Sequence, residues 1–253
     1  MFERFRQRSY ELEHLDKGDY TPEEYEGCMV ELRLVNEYLG DASALARTLF
    51  PEVLRAGLCD FSVLDVGAGS GELLRVTARW AQSRGRRARL VGLELNARSA
   101  RAILEESQEY ASISAVRGDA LRLPFEDSRF DYAICSLFTH HFEDEGVVNV
   151  LRELARVARR RIIVIDLNRH PLAYFLYTTV GRLFLHNRLL REDGALSILR
   201  SFRPEELCSL AERAGLSQIS VRRRFPFRLV LSADALKEQA ASARRLSVTT
   251  RAA

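Results

Sequence analysis

From residue 60 to residue 168 the chain alternates short, unbroken apolar runs with segments of helical periodicity. "SVLDVG", "RLVGLEL", "ISAVRGD", "FDYAICSL" and "RRIIVIDL" read as strands. "GELLRVTARWAQSRG", "ARSARAILEESQ" and "DEGVVNVLRELARVA" read as the helices between them. Strands that are apolar throughout, rather than at every second residue, are buried on both faces. Regular alternation with helices therefore predicts an α/β fold with a parallel, doubly wound sheet, each crossover right-handed. Two further strand patterns, "QISVRRRF" and "FRLVLSA", follow a helix that begins at Pro204.

Three segments stand outside this alternation. Residues 1–57 read as an N-terminal helical segment, placed as a lid. Within it Thr21 caps a helix with Pro22 at its first position and Gly40 as its stop, and the next helix is expected to break near Pro51. Residues 58–232 form the core, interrupted at 170–203 by an apolar helical insertion after the fifth strand, and 233–253 read as a polar tail. Net charge is only +3, which does not imply a general polyanion-binding surface. The basic clusters at 84–89 and 222–224 flank helix–strand junctions and lack interleaved aromatics, so no nucleic-acid partner is expected. Cys28, Cys59, Cys135 and Cys208 are scattered without CxxC spacing, which fits reduced thiols in a cytoplasmic protein. The charged N-terminus has no signal-peptide core. Arg182 and His186 interrupt the most apolar stretch, so no transmembrane segment is expected.

The first strand ends in "VLDVGAGSGELL", residues 63–74. Gly67, Ala68, Gly69 and Gly71 make a tight turn onto a helix N-terminus, at the edge where open parallel sheets bind ligands. The spacing is G-x-G-x-G rather than the dinucleotide G-x-G-x-x-G, and Asp65 precedes it. An acid there opposes a pyrophosphate and suits a cationic amine. Glu94 closes the second strand, where an acid takes ribose hydroxyls. Asp119 closes the third and is placed to accept from an adenine amino group, with Ala120 giving backbone contact. Amine, ribose and adenine together describe S-adenosylmethionine.

The stretches "VLDVGAGSGELL", "VGLELN", "GDALRLPFEDSRFDYAICSLFTHHF" and "ELARVARRRIIVIDL" are similar to the ordered motifs of class I S-adenosylmethionine-dependent methyltransferases. The resemblance covers roughly residues 60–168. It implies a Rossmann-like seven-stranded sheet with an antiparallel last strand. It also implies S-adenosyl-L-methionine as cofactor, S-adenosyl-L-homocysteine as product, and Leu95, Ser136 and Leu137 as further cofactor neighbours. More loosely, the N-terminal segment and the insertion resemble a bacterial small-molecule subgroup linked to polyketide and phenolic-lipid pathways.

Methyl transfer needs alignment, plus a base where the acceptor must lose a proton. His140 and His141 at the end of the fourth strand are the candidates. Adjacent histidines without a third ligand nearby do not suggest a metal. Ser136, Leu137 and Phe138 stand where amino-directed relatives carry Asn/Asp-Pro-Pro-aromatic, which disfavours adenine-N6 or glutamine targets. Asp166, Arg169, Tyr174, Tyr177 and Arg200 are the candidate acceptor-side groups. For Arg200 the alternative is that it caps a loop. The expected acceptor is a small apolar or aromatic molecule, methylated on oxygen, with carbon methylation of a quinone-like ring as the alternative. RNA methylation and a non-catalytic cofactor binder remain as other classes, and a homodimer stays open.

Overall fold

The computed structural model describes residues 3–38 and 40–236; most of the expected tail, 237–253, lies outside the described residues. The N-terminal segment carries α1 (His14–Lys17), α2 (Pro22–Tyr38), α3 (Asp41–Ala46) and α4 (Leu49–Arg55). The core runs β1 (Asp60–Val66), α5 (Glu72–Ser83), β2 (Arg87–Glu94), α6 (Ala97–Glu106), β3 (Ile113–Arg117), β4 (Phe130–Ser136), α7 (Asp144–Val157) and β5 (Ala158–Leu167). The insertion holds α8 (Pro171–Thr179) and α9 (Arg188–Arg200). Then come α10 (Pro204–Arg213), β6 (Ser217–Arg224) and β7 (Arg228–Asp234).

The sheet order is β3-β2-β1-β4-β5-β7-β6, and β7 is antiparallel to both its neighbours. This is the expected seven-stranded fold. Strand order reverses between β1 and β4, which opens the binding crevice at their carboxyl ends. Alternate residues of each strand enter two cores. Leu64, Ala133 and Val164 pack with α7 and α10 on one face, while Val63, Ile134 and Ile163 pack with α3 to α6 on the other. Burial on both faces is the reason that the strand runs are apolar throughout.

Local chemistry explains the helix ends. Thr21 Oγ1 accepts from the Glu24 N–H at 3.2 Å, and the Glu24 carboxylate accepts from the Thr21 N–H at 3.0 Å, a reciprocal capping box. The break expected near Pro51 falls earlier, at Arg47 and Thr48. Pro51 is the third residue of α4, where a helix needs no N–H donor, so it starts the helix rather than ending it. The core also extends two residues past the expected boundary at 232, because Ala233 and Asp234 pair with Ile162 and Arg161 of β5.

Arg228, at the start of β7, reaches Asp41 at the start of α3, with Nε 2.5 Å from Oδ1 and both side chains almost wholly buried. Burial pushes the Asp41 carboxyl up, against the attraction of the guanidinium. The pair joins the N-terminal helices to the sheet. Removing one partner leaves a buried charge, so Asp41→Ala should cost about 3–5 kcal/mol in denaturant unfolding. The Asp41→Ala/Arg228→Leu double variant should recover part of that. A double-variant loss equal to the sum of the separate Asp41→Ala and Arg228→Leu losses would show that the pair is not coupled.

Candidate functional site

The carboxyl ends of β1 and β4 open into a cavity of about 1230 Å³. Its walls include Asp65, Gly67, Ala68, Gly69, Ser136, Leu137, His140, His141 and Tyr177. It therefore gathers nine of the residues expected from sequence. Gly71, Glu94, Leu95, Asp119, Ala120, Asp166, Arg169, Tyr174 and Arg200 do not line it.

At the glycine turn, Gly67 has φ 70, and its N–H donates to the Leu93 carbonyl at 2.9 Å. A Cβ there would stand 2.5 Å from the Phe138 ring, so the position admits only glycine. The Gly69 N–H donates to Glu94 Oε1 at 2.6 Å, which binds the end of β2 to the turn on β1. Gly71 caps α5 behind the turn. Asp65 is buried, and its Oδ1 has no hydrogen-bond partner; the buried Ser136 Oγ has none either. Burial, with the Glu94 carboxylate beside it, pushes the Asp65 pKa well above the usual carboxylate range. Burial also raises Glu94, against hydrogen bonds from Gly69 and Leu95. An unpaired carboxylate in low dielectric is the arrangement that a cationic group would relieve. Asp119 is exposed, with Oδ1 accepting from the Leu121 N–H at 2.9 Å; Ala120 behind it is buried, and Leu95 is exposed.

The β4 end is organised by Asp166, at the end of β5. Its Oδ1 lies 2.6 Å from His140 Nδ1 and accepts from the Leu167 N–H at 2.8 Å. Its Oδ2 accepts from the Thr139 hydroxyl at 2.5 Å and the His140 N–H at 3.1 Å. Burial acts to raise this carboxyl, but the charge and hydrogen bond of His140, with Thr139 and Leu167, hold it at about 2. With Nδ1 committed to Asp166, His140 turns Nε2 toward Glu13, whose Oε1 is 3.9 Å away. His141 Nδ1 lies 3.8 Å from the other Glu13 oxygen and 3.5 Å from Asp16. Burial acts to lower the His141 pKa, but the hydrogen bond that its ring donates to Asp16 and the two acid charges prevail and leave it raised.

Four of the expected acceptor-side groups are engaged elsewhere. Asp166 is fully buried beneath His140. Arg169 is buried and donates to the carbonyls of Phe5, Ser201 and Arg6 and to Glu206. Tyr174 meets the N-terminal arm, edge-on to Phe5 with its ring centroid 5.6 Å away. Arg200 donates to the carbonyls of His140, His141 and Glu11, so it fastens the histidine loop. In each case the sequence shows the residue type and its place in the fold, but not which way the side chain turns.

Sequence reasoning missed Glu13. It supplies the third group beside the two histidines, and the ligand atoms of Glu13, His140 and His141 lie within 4.8 Å of one another. This carboxylate is already engaged, with Ser197 Oγ at 2.8 Å and Arg200 Nε at 3.9 Å from Oε1. Arg8 was missed as well. It donates to the carbonyls of Arg200 and Phe142 at 2.8 and 2.9 Å. No local pattern marks either residue, because their partners lie more than a hundred positions away.

A methyltransferase domain family matches residues 63–161. The demethylmenaquinone methyltransferase of Roseiflexus is 30% identical over 171 residues, 63% of this chain and 69% of that one. The 2-phytyl-1,4-naphtoquinone methyltransferase of Thermosynechococcus vestitus is 29% identical over 170 residues, 62% of this chain and 73% of that one. Among solved structures, a SAM-dependent methyltransferase from Aquifex aeolicus superposes with TM-score 0.54 at 16% identity, over 79% of this chain and 96% of that one. Magnesium protoporphyrin IX methyltransferase from Synechocystis with bound SAH gives 0.54 at 18% identity, over 78% and 84%.

The depressed Asp166 carboxyl has a measurable consequence. Its folded pKa of about 2 lies below the ordinary 3.8, so its contribution is complete above the ordinary value and disappears as pH falls toward 2. That contribution is about 2 kcal/mol. Unfolding free energy measured from pH 5 down to pH 2 should lose this component of its slope in Asp166→Asn. An unchanged slope would mean that Asp166 is not the group titrating.

Proposed function

Because this chain belongs to the class I S-adenosylmethionine-dependent methyltransferases, we propose that it methylates a ring carbon of a small, apolar, quinone-like acceptor, with His140 as the base. The observation that carries this reading is a cavity that joins Asp65, whose Oδ1 has no partner, to the Asp166-held His140. The sequence alone favours oxygen as the methylated atom. The names of the Roseiflexus and Thermosynechococcus relatives favour a quinone-like ring, and with it the ring carbon.

The residues present fit the cofactor. The Asp65 Oδ1 that finds no partner within the protein suits its cationic amino group. Gly67, Ala68 and Gly69 allow close backbone approach, with Gly71 shaping the turn behind them. Glu94 is assigned to the ribose hydroxyls, and Leu95, Asp119 and Ala120 to the adenine. Ser136 and Leu137 complete the wall on the β4 side. When bound, the cofactor supplies an activated methyl group on a sulfonium sulfur.

The protein's own part is proton handling and orientation. The ionised Asp166 accepts the Nδ1–H of His140, which leaves the Nε2 lone pair facing the cavity. Nε2 takes the proton of an acceptor hydroxyl and so raises electron density on the neighbouring ring carbon; once that carbon carries the methyl, it gives up its own hydrogen as a proton to water and the ring recovers its aromaticity. Asp166 and Glu13 then offset the charge of the resulting imidazolium. Tyr177 closes the far wall: its hydroxyl is spent on the Leu190 carbonyl, so its ring faces the acceptor space. Exposed apolar residues of the insertion continue that wall outward.

The test uses cofactor carrying a ¹³C-methyl group with a panel of naphthoquinols and phenols, read by NMR. A carbon-bound methyl is expected; an oxygen-bound methyl overturns the choice of atom. His140→Ala should lower kcat by about 10²–10⁴-fold while calorimetric cofactor binding is kept. Asp65→Ala should lose cofactor binding itself. Full turnover in His140→Ala would remove its role as base.

A further inference from the structure

The face of α8 turned away from the protein is apolar. Leu172, Phe175, Leu176, Val180, Leu183 and Phe184 are 38–73% exposed. Their spacing of three and four residues keeps them on one side of α8 and of the short turn that follows it. A cluster of this size on one exposed face marks a surface that meets another apolar phase. Leu176, Val180 and Phe184 also line the cavity, so the outer face is continuous with its wall.

Cations stand beside this face. Arg4, on the N-terminal arm, donates to the Tyr174 hydroxyl at 3.3 Å and lies over its ring, 5.2 Å from the centroid. Arg182 is exposed between Val180 and Leu183. Apolar side chains in the middle with arginines at the margin match the boundary of a bilayer, where acyl chains meet anionic headgroups. A second copy of the chain fits less well. A twofold contact would bring the same arginines toward each other and would cover the cavity mouth. No helix among the described residues is long and apolar enough to cross a membrane, so the geometry is that of a helix lying in the interface.

We propose that the outer face of α8 and the following turn dock on a bilayer surface bearing anionic headgroups, and that the apolar acceptor enters the cavity from the lipid. The docking stands on the exposed face itself; only the delivery of an acceptor rests on the methyl-transfer reading. Entry from lipid deepens that reading, because a quinone-like molecule with an apolar tail partitions into the bilayer rather than into water.

The experiment is co-sedimentation of the full chain with phosphatidylcholine vesicles, with and without phosphatidylglycerol. Binding is expected, and stronger with phosphatidylglycerol. Phe175→Ser/Leu183→Ser, two positions outside the cavity lining, should lower partitioning about tenfold or more. Arg182→Glu should weaken only the binding that depends on phosphatidylglycerol. Calorimetric cofactor binding and the thermal midpoint should be unchanged in these variants, which separates docking from folding. No vesicle binding, binding that survives the double variant, or a dimer in solution that the double variant dissolves would each overturn the proposal. Turnover of a water-soluble acceptor without vesicle binding would sink the docking alone; vesicle binding without turnover on any acceptor would sink the acceptor reading alone.

Discussion

The carboxylate of Asp166 is the point from which the acceptor side is built. It is fully buried at the end of β5 and accepts from Thr139, from the backbone and ring of His140, and from the Leu167 N–H. A buried carboxylate is tolerated only when surrounded by donors in this way. Because the 139–141 turn supplies most of those donors, its conformation is set by the acid. The Thr139 hydroxyl and the ring and N–H of His140 face Asp166, while the His141 N–H donates to the Phe138 carbonyl and its ring turns to Glu13 and Asp16, which leaves the carbonyls of His140, His141 and Phe142 to other donors. Arg200 of α9 and Arg8 of the N-terminal arm satisfy those carbonyls, His140 and His141 from Arg200 and Phe142 from Arg8. The two segments outside the α/β core thus take their positions from one turn of the core.

The same site holds two buried carboxylates pushed in opposite directions. Asp65 has an oxygen without a partner, with the acidic Glu94 nearby, and its pKa rises. Asp166 has donors on both oxygens and falls to about 2. Environment, not residue type, separates their roles. The first suits an incoming cation, which would remove the penalty of burying it. The second keeps its charge and orients an imidazole. The Asp65 end and the His140 end of the cavity therefore differ in electrostatic character, although both are built on aspartates at strand ends.

The sheet was legible in the sequence because parallel strands covered on both faces are apolar at every position. Val63 and Leu64, or Ile163 and Val164, enter opposite cores and are equally buried. The glycine turn was legible because positive φ and the approach of Phe138 leave no alternative at Gly67. Asp166, Arg169 and Arg200 read from sequence as acceptor-side groups, with a loop cap as the alternative for Arg200, and the structure buries all three outside the cavity lining. Their positions in the fold were right, but a strand-end acid or an arginine has two directions to turn, and carbonyls that need donors are invisible in a one-dimensional pattern. Glu13 was out of reach for a related reason. It meets His141 across 128 positions of chain, and neither residue carries a mark of the other.

The insertion inverts the usual arrangement of a surface helix, and the cause lies in its inner contact. Tyr177 turns inward and spends its hydroxyl on the Leu190 carbonyl of α9. Gly194 admits this, since a Cβ there would overlap the tyrosine hydroxyl. Ala173 is buried, while Tyr177 packs toward Cys28, Leu185, Leu189 and Leu190, joining α8 to α9 and α2. That contact fixes which side of α8 faces the protein, so Leu172, Phe175 and Leu176 are left facing out. In water alone, polar residues on the outer side would cost nothing in packing and would avoid exposing apolar surface. Outward apolar residues gain only where that side meets a non-aqueous phase. The inner tyrosine contact and the outer apolar stripe are consequently two halves of one helix orientation, set by Gly194 and read out at the cavity mouth.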